Sequence, residues 1–171
     1  MIDGKIRGAE CPYILASMIM NKYIGKESWL VIKENFDAVE VNGADWANLA
    51  QVVVIAYKER LNLLSQGKEI MPGVNTVAIP GHTPDHSGFR VDSGNNSLMH
   101  LGDILHLQNL QLIDPNVSTV FDIDYDTALL SRKRVLDMVS TDKNLCTSGH
   151  WLSPKFGHIE RHGQGFAVSA K

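Results

Sequence analysis

Four histidines and two aspartates sit in three short motifs of a 171-residue chain. Gly81-His82-Thr83-Pro84-Asp85-His86 comes first, His100-Leu101-Gly102-Asp103 follows, and Ser148-Gly149-His150 lies far downstream. Neutral imidazole nitrogen and carboxylate oxygen both suit Zn²⁺, at bond lengths of roughly 2.0–2.2 Å. Iron, manganese and cobalt accept similar donors, so the residue types imply a divalent cation without naming it. Seven histidines against two cysteines favour imidazole and carboxylate over thiolate ligation. A divalent cation held by such donors lowers the pKa of a bound water, from about 15.7 to around 7 on zinc.

The elements that must hold these residues can be read locally. Val77-Ala78-Ile79 reads as the end of a strand closed by Pro80-Gly81, with His82 immediately after the turn. Thr83-Pro84 sets the next turn, because proline fixes φ and pushes the residue before it out of the helical region. Beyond His86, Phe89 and Val91 alternate with polar neighbours, the pattern of a strand with alternate sides buried. Ser93-Gly94-Asn95-Asn96 supplies turn residues that tolerate positive φ, and Leu98-Met99-His100-Leu101 forms the return strand up to Gly102-Asp103. A histidine and a carboxylate thus stand at the ends of neighbouring strands, where α/β folds commonly place their chemistry. Leu145-Cys146-Thr147 reads as a further strand, with His150 just past its end.

The rest of the chain supplies the frame. Residues 13–17 are a candidate strand. Asp45 is a candidate N-cap for a helix whose apolar residues, Trp46 through Leu64, recur at helical spacing up to Gly67. Residues 70–79 form a strand pair, or one strand entered through Pro72-Gly73. Residues 104–116 read as loop and 117–121 as a short strand. Asp122 or Asp124 caps a helix with Ala128, Leu129, Val135, Leu136 and Val139 on one face; Arg132, Lys133, Arg134 and Asp137 are expected to face water. The tail forms a hairpin around Gly163-Gln164-Gly165.

The order GHTPDH, HLGD, Ser148-Gly149-His150 resembles the second half of a metallo-β-lactamase-fold hydrolase. The surrounding GDILH, LQLIDP, FDIDYD and GHWLSPKFGHI are similar to the branch of methyl parathion hydrolases and quorum-quenching lactonases. The resemblance covers the chain well from about residue 70 onward and loosely before it. It implies an α/β fold, an αβ/βα sandwich. It also implies a binuclear metal site, with zinc as the expected metal, in which a metal-bound hydroxide attacks a lactone, ester or phosphotriester. Three ligands carry over by position, His82, Asp103 and His150. Asp103 takes the bridging and catalytic place, since a carboxylate between two cations about 3.5–4 Å apart offsets their repulsion. His86 reads as a residue that orients a neighbour, while His106 and His158 stand where similar enzymes have substrate-pocket residues, a surface role being the alternative for each. His100 reads as structural and His162 as solvated. Asp85 replaces the family's glycine, which would cost strain if that position demands positive φ.

One departure matters. The family's His-x-His-x-Asp-His run occurs nowhere in this sequence. The chain is therefore expected to be a single partial domain over residues 1–171, a C-terminal portion incomplete on its N-terminal side. Such a chain should bind metal weakly, hydrolyse little, and associate, as a homodimer or otherwise, through an uncovered sheet. A non-catalytic scaffold or interaction module that has lost its metal site is the alternative. Hydrophobic residues make up 44% and charged residues 20%, ordinary values for a globular protein. A net charge of −3, without any Lys/Arg block, argues against nucleic-acid or anionic-membrane partners; a small-molecule substrate is what the resemblance implies. Cys11 and Cys146 lack metal-type spacing and read as two buried thiols rather than a disulfide. No apolar run is long enough to span a bilayer, and the compartment, cytoplasm or periplasm, stays open.

Overall fold

A computed structural model describes residues 23–25, 62–64, 66–151 and 155–169. Two short strands, β1 (Tyr23–Gly25) and β2 (Asn62–Leu64), pair in parallel. The helix expected up to Gly67 therefore does not reach its predicted end, since residues 62–64 are extended. Apolar spacing over so few residues cannot separate a helix from a strand, and here the strand partner decides. The remainder of that helix, the strand at 13–17 and Cys11 lie outside the described residues.

The main sheet has seven strands in sequence order. They are β3 (Glu69–Met71), β4 (Val74–Ala78), β5 (Ser87–Ser93), β6 (Asn96–His100), β7 (Leu145–Thr147), β8 (Gly157–His162) and β9 (Gly165–Ser169). Neighbours are antiparallel except β6 and β7, which are parallel. The expected strand pair at 70–79, the hairpin turning at Gly94-Asn95 and the tail hairpin are all present. A parallel pair needs a crossover. Here it contains the helices α1 (Gln108–Ile113) and α2 (Tyr125–Asp142), and α2 packs on the sheet against β8.

The core lies between α2 and the sheet. Ala128, Val135, Leu136 and Val139 meet Met99, Cys146, Ile159 and Phe166, with Leu101, Ile104 and Leu105 beneath the crossover. Asp124 caps α2, accepting from the Thr127 N–H at 3.0 Å. Cys146 is a free, buried thiol, pushed up to about 12 by burial. No described helix is long and apolar enough to cross a membrane.

Three expectations are corrected here. Residues 104–116 are not all loop. Gln111 is fully buried, and its Oε1 accepts from the His106 and Leu107 N–H groups at 2.8 and 3.0 Å, which helps satisfy the start of α1. Residues 117–121 form no strand, because the Val117 carbonyl is taken by Gln111 and Arg132 side chains and Thr119 turns back to Asp122. Arg132 does not face water; it is 0% exposed. It lies four residues after Ala128 and four before Leu136, on the buried stripe of α2, and hydrogen bonds satisfy its guanidinium there.

Candidate metal centre

Strand register builds the site. In the antiparallel pair β5–β6, Phe89 faces His100; continuing three residues outward on each side sets His86 against Asp103. In the parallel pair β6–β7, His100 faces Thr147; three further residues on each strand reach Asp103 and His150. Backbone bonds carry this register past the strand ends, Leu101 N–H to Thr147 O at 2.8 Å and Gly149 N–H to Gly102 O at 3.3 Å. Ser148 Oγ adds a bond to Gly102 O at 2.7 Å. Gly102 has φ +56, and a Cβ there would collide with the His86 ring, so glycine is what lets the strand turn Asp103 into the site.

The three predicted ligands come together. Asp103 Oδ2 stands 3.9 Å from His82 Nε2, and Asp103 Oδ1 stands 3.4 Å from His150 Nε2. The His86 Nε2 lone pair accepts the Asp103 N–H at 2.8 Å, fixing the backbone of the acid from below. His106 joins the group, donating from Nδ1 to the Asp103 carbonyl at 2.8 Å. Its ring stacks on His150 with centroids 4.0 Å apart and lies 4.8 Å from His82, with the half-exposed Phe121 at 5.5 Å on its flank. The His150 side chain is 44% exposed and that of His82 only 14%, so the hollow opens to solvent on the His150 side.

The other histidines have structural partners. His158 faces Leu145, at the far end of β7 from His150, and its Nδ1 donates to the Lys143 and Asn144 carbonyls at the end of α2. His100 Nδ1 accepts from the Gly102 N–H at 3.1 Å, and His162 is exposed as expected. Among the described residues Lys143 is the sole non-glycine with positive φ, so Asp85 carries no such strain.

Electrostatics follow from the crowding. Burial by itself would raise the Asp103 carboxyl, but the His150 hydrogen bond and the charges of His86, His82 and His150 outweigh it and hold the group below the usual carboxylate range. Burial pushes His86 down to about 4, assisted by His82, His106 and His100 and opposed by Asp103. His106 and His100 are lowered for the same first reason.

Two donors that share one cation at zinc bond lengths lie no more than about 4.2 Å apart. Both Asp103–imidazole separations meet that limit, so the donor set fits a carboxylate serving two cations with one imidazole beside each oxygen. Among the described residues no group of three or more His, Cys, Asp or Glu side chains is arranged to hold one ion.

Two residues of the site escaped the motif reading. Asp122 Oδ1 receives His82 Nδ1 at 3.1 Å, and Asp122 Oδ2 pairs with Arg132 Nη2 at 3.2 Å. Burial would raise Asp122, but the His82 hydrogen bond, the Thr119 N–H and the Arg132 charge hold it low. The helical spacing of Arg132 signals its burial; nothing local distinguishes Asp122 from Asp124.

Similarity to solved structures supplies the fold's name. The chain superposes on AidC, described as a dizinc quorum-quenching lactonase in complex with a product, N-hexanoyl-L-homoserine. The TM-score is 0.74 at 23% identity, covering 87% of this chain and 54% of that one. The hydrolase AbOPH, of the beta lactamase superfamily, gives 0.71 at 21% identity over 85% of this chain and 53% of its own. The chain has the metallo-β-lactamase fold. A probable metal-dependent hydrolase from Staphylococcus aureus shares the fold at a TM-score of 0.67 and 16% identity, covering 87% and 51%. The chain thus spans about half the length of these structures. No protein-family profile matches the sequence, and no curated protein sequence does.

Proposed function

We propose that this chain carries the Asp103-centred part of the site of a metal-dependent hydrolase that cleaves a lactone, ester or phosphotriester. One observation carries the reading: each Asp103 oxygen faces the Nε2 of a different histidine, 3.9 Å to His82 and 3.4 Å to His150. Two divalent cations, with zinc the first expectation, would supply an activated water and positive charge for the oxyanion that develops. Asp103 would offer its carboxylate to them, and its histidine neighbours keep it ionised at neutral pH. His86 holds the peptide of Asp103 in place, and His106 with Phe121 walls the open side where a substrate enters. The matching structures include proteins described as a lactonase and as hydrolases, which supports the class of reaction.

The test compares the chain with Asp103→Ala, after incubation with zinc, manganese or cobalt, against a lactone, a carboxylic ester and a phosphotriester. Metal content is read in parallel by plasma mass spectrometry. Loss of both metal retention and turnover in the variant is expected; turnover that survives removes Asp103 from the mechanism.

The second reading is a non-catalytic module. It is favoured by the absence, among the described residues, of any three-donor group for a single cation. Because weak uptake is also expected of a partial site, the reading is favoured where the wild-type chain and Asp103→Ala take up each of the three metals equally.

A further inference from the structure

We propose that Asp122, clamped by Arg132, is a positioning residue that dictates which ring nitrogen of His82 is presented to Asp103. The inference rests on the metal-site reading for its purpose, though its geometry stands independently. An ionised carboxylate can only accept hydrogen bonds. With Asp122 Oδ1 at 3.1 Å, His82 Nδ1 must therefore carry the proton. Nε2 is then left with its lone pair directed at the hollow, 3.9 Å from Asp103 Oδ2. A ligating histidine needs this arrangement: one nitrogen free for the cation, the other held by a carboxylate that fixes tautomer and ring plane.

Asp122 is itself immobilised. Its Oδ2 meets Arg132 Nη2 at 3.2 Å and the Thr119 N–H at 3.4 Å. Arg132 is anchored in turn, Nε to the Ile104 carbonyl at 2.8 Å and Nη1 to the Pro115 and Val117 carbonyls at 3.0 and 2.8 Å. Ile104 directly follows Asp103, so one buried guanidinium ties the acid's own loop to the carboxylate behind His82. The backbone repeats the fit. Ile123 N–H donates to the His82 carbonyl at 3.3 Å, and Asp124 N–H donates to the Gly81 carbonyl at 2.9 Å. Gly81 has φ +121, and a Cβ on it would collide with the backbone of Ala128, so the turn bearing His82 sits flush on the first turn of α2. A buried ion pair that merely anchored α2 would require none of this contact with His82.

Long-range proton–nitrogen NMR correlation on the metal-free chain, near pH 8 where imidazoles are neutral, tests the idea. Wild-type His82 should show a protonated Nδ1 and a bare Nε2. Asp122→Asn, isosteric but able to donate as well as accept, should abolish that preference. It should also weaken Zn²⁺ binding by roughly 10–100-fold, read by calorimetry. A wild-type His82 protonated on Nε2, or an Asp122→Asn spectrum unchanged at His82, overturns the inference. The wild-type spectrum is decisive even where the variant does not fold. If the tautomer follows Asp122 while Asp103→Ala binds Zn²⁺ no more weakly than the wild-type chain, the positioning role stands and the proposed function fails.

Discussion

His86 shows how a residue can serve a site without binding anything in it. Its Nε2 must be unprotonated to accept the Asp103 N–H, and burial lowers its pKa to about 4. The unfolded chain, with histidine near 6.5, binds more protons than the folded one between those values. Stability therefore rises with pH across that window and falls as pH drops from about 6.5 toward 4. The lowered His100 and His106 add to the same slope. For Asp103 and Asp122 the folded pKa is depressed, so their contribution is present above the unfolded carboxylate value and is lost only at lower pH. Urea midpoints of the metal-free chain measured at pH 7.5 and 5 should differ, and His86→Gln should shrink the difference. An unchanged gap in that variant would relieve His86 of the role. Asp103 and His150 could be found from their motifs because they sit at strand ends. Asp122 could not, because its partner His82 is 40 residues away, and the helical spacing of Arg132 signals its burial but not its bond to Ile104, 28 residues away.

Among the elements, the strands place Asp103 and His150 while α2 seats His82, since its first turn supports the Gly81-His82 turn and its buried stripe carries Arg132. Its start depends on Asp124, whose Oδ1 accepts the Thr127 N–H at 3.0 Å and whose Oδ2 accepts the Thr127 hydroxyl at 2.7 Å. Asp124→Ala should cost about 1 kcal/mol by chemical denaturation, the usual size for losing such a cap. Because the same turn seats His82, the variant should also lower zinc affinity; a stability loss with affinity intact would separate the cap from the site. The strands around the two hairpins were legible from alternation and turn residues. Helix α1 was not. Its Leu110 and Ile113 are exposed while Gln111 is buried, so hydrophobic periodicity misleads, and the Gln111 amide, bonded to the His106 and Leu107 N–H groups and to the Val117 carbonyl, takes the buried place.

At the scale of the molecule, Leu107, Leu110, Ile113, Val120, Phe121, Ile123, Tyr125 and Leu130 are all exposed within one stretch of chain. Exposed apolar surface of this kind favours association. Sedimentation velocity should show a coefficient that climbs with concentration, and Ile123→Lys with Leu130→Lys should flatten the climb; an unchanged climb in that variant would place the association elsewhere, as at the sheet. The hairpins were written into local residue patterns, because turns and alternation act over a few positions, while the fold class and the three converging side chains were implied by the resemblance that the order of the motifs carries. The seating of His82 was settled only on folding. Which nitrogen faces the acid, why an arginine can sit inside a helix–sheet core, and how an aspartate passed over as a spare cap becomes its partner all depend on contacts between distant segments. Those contacts exist only once β6 and β7 lie side by side and α2 closes over them.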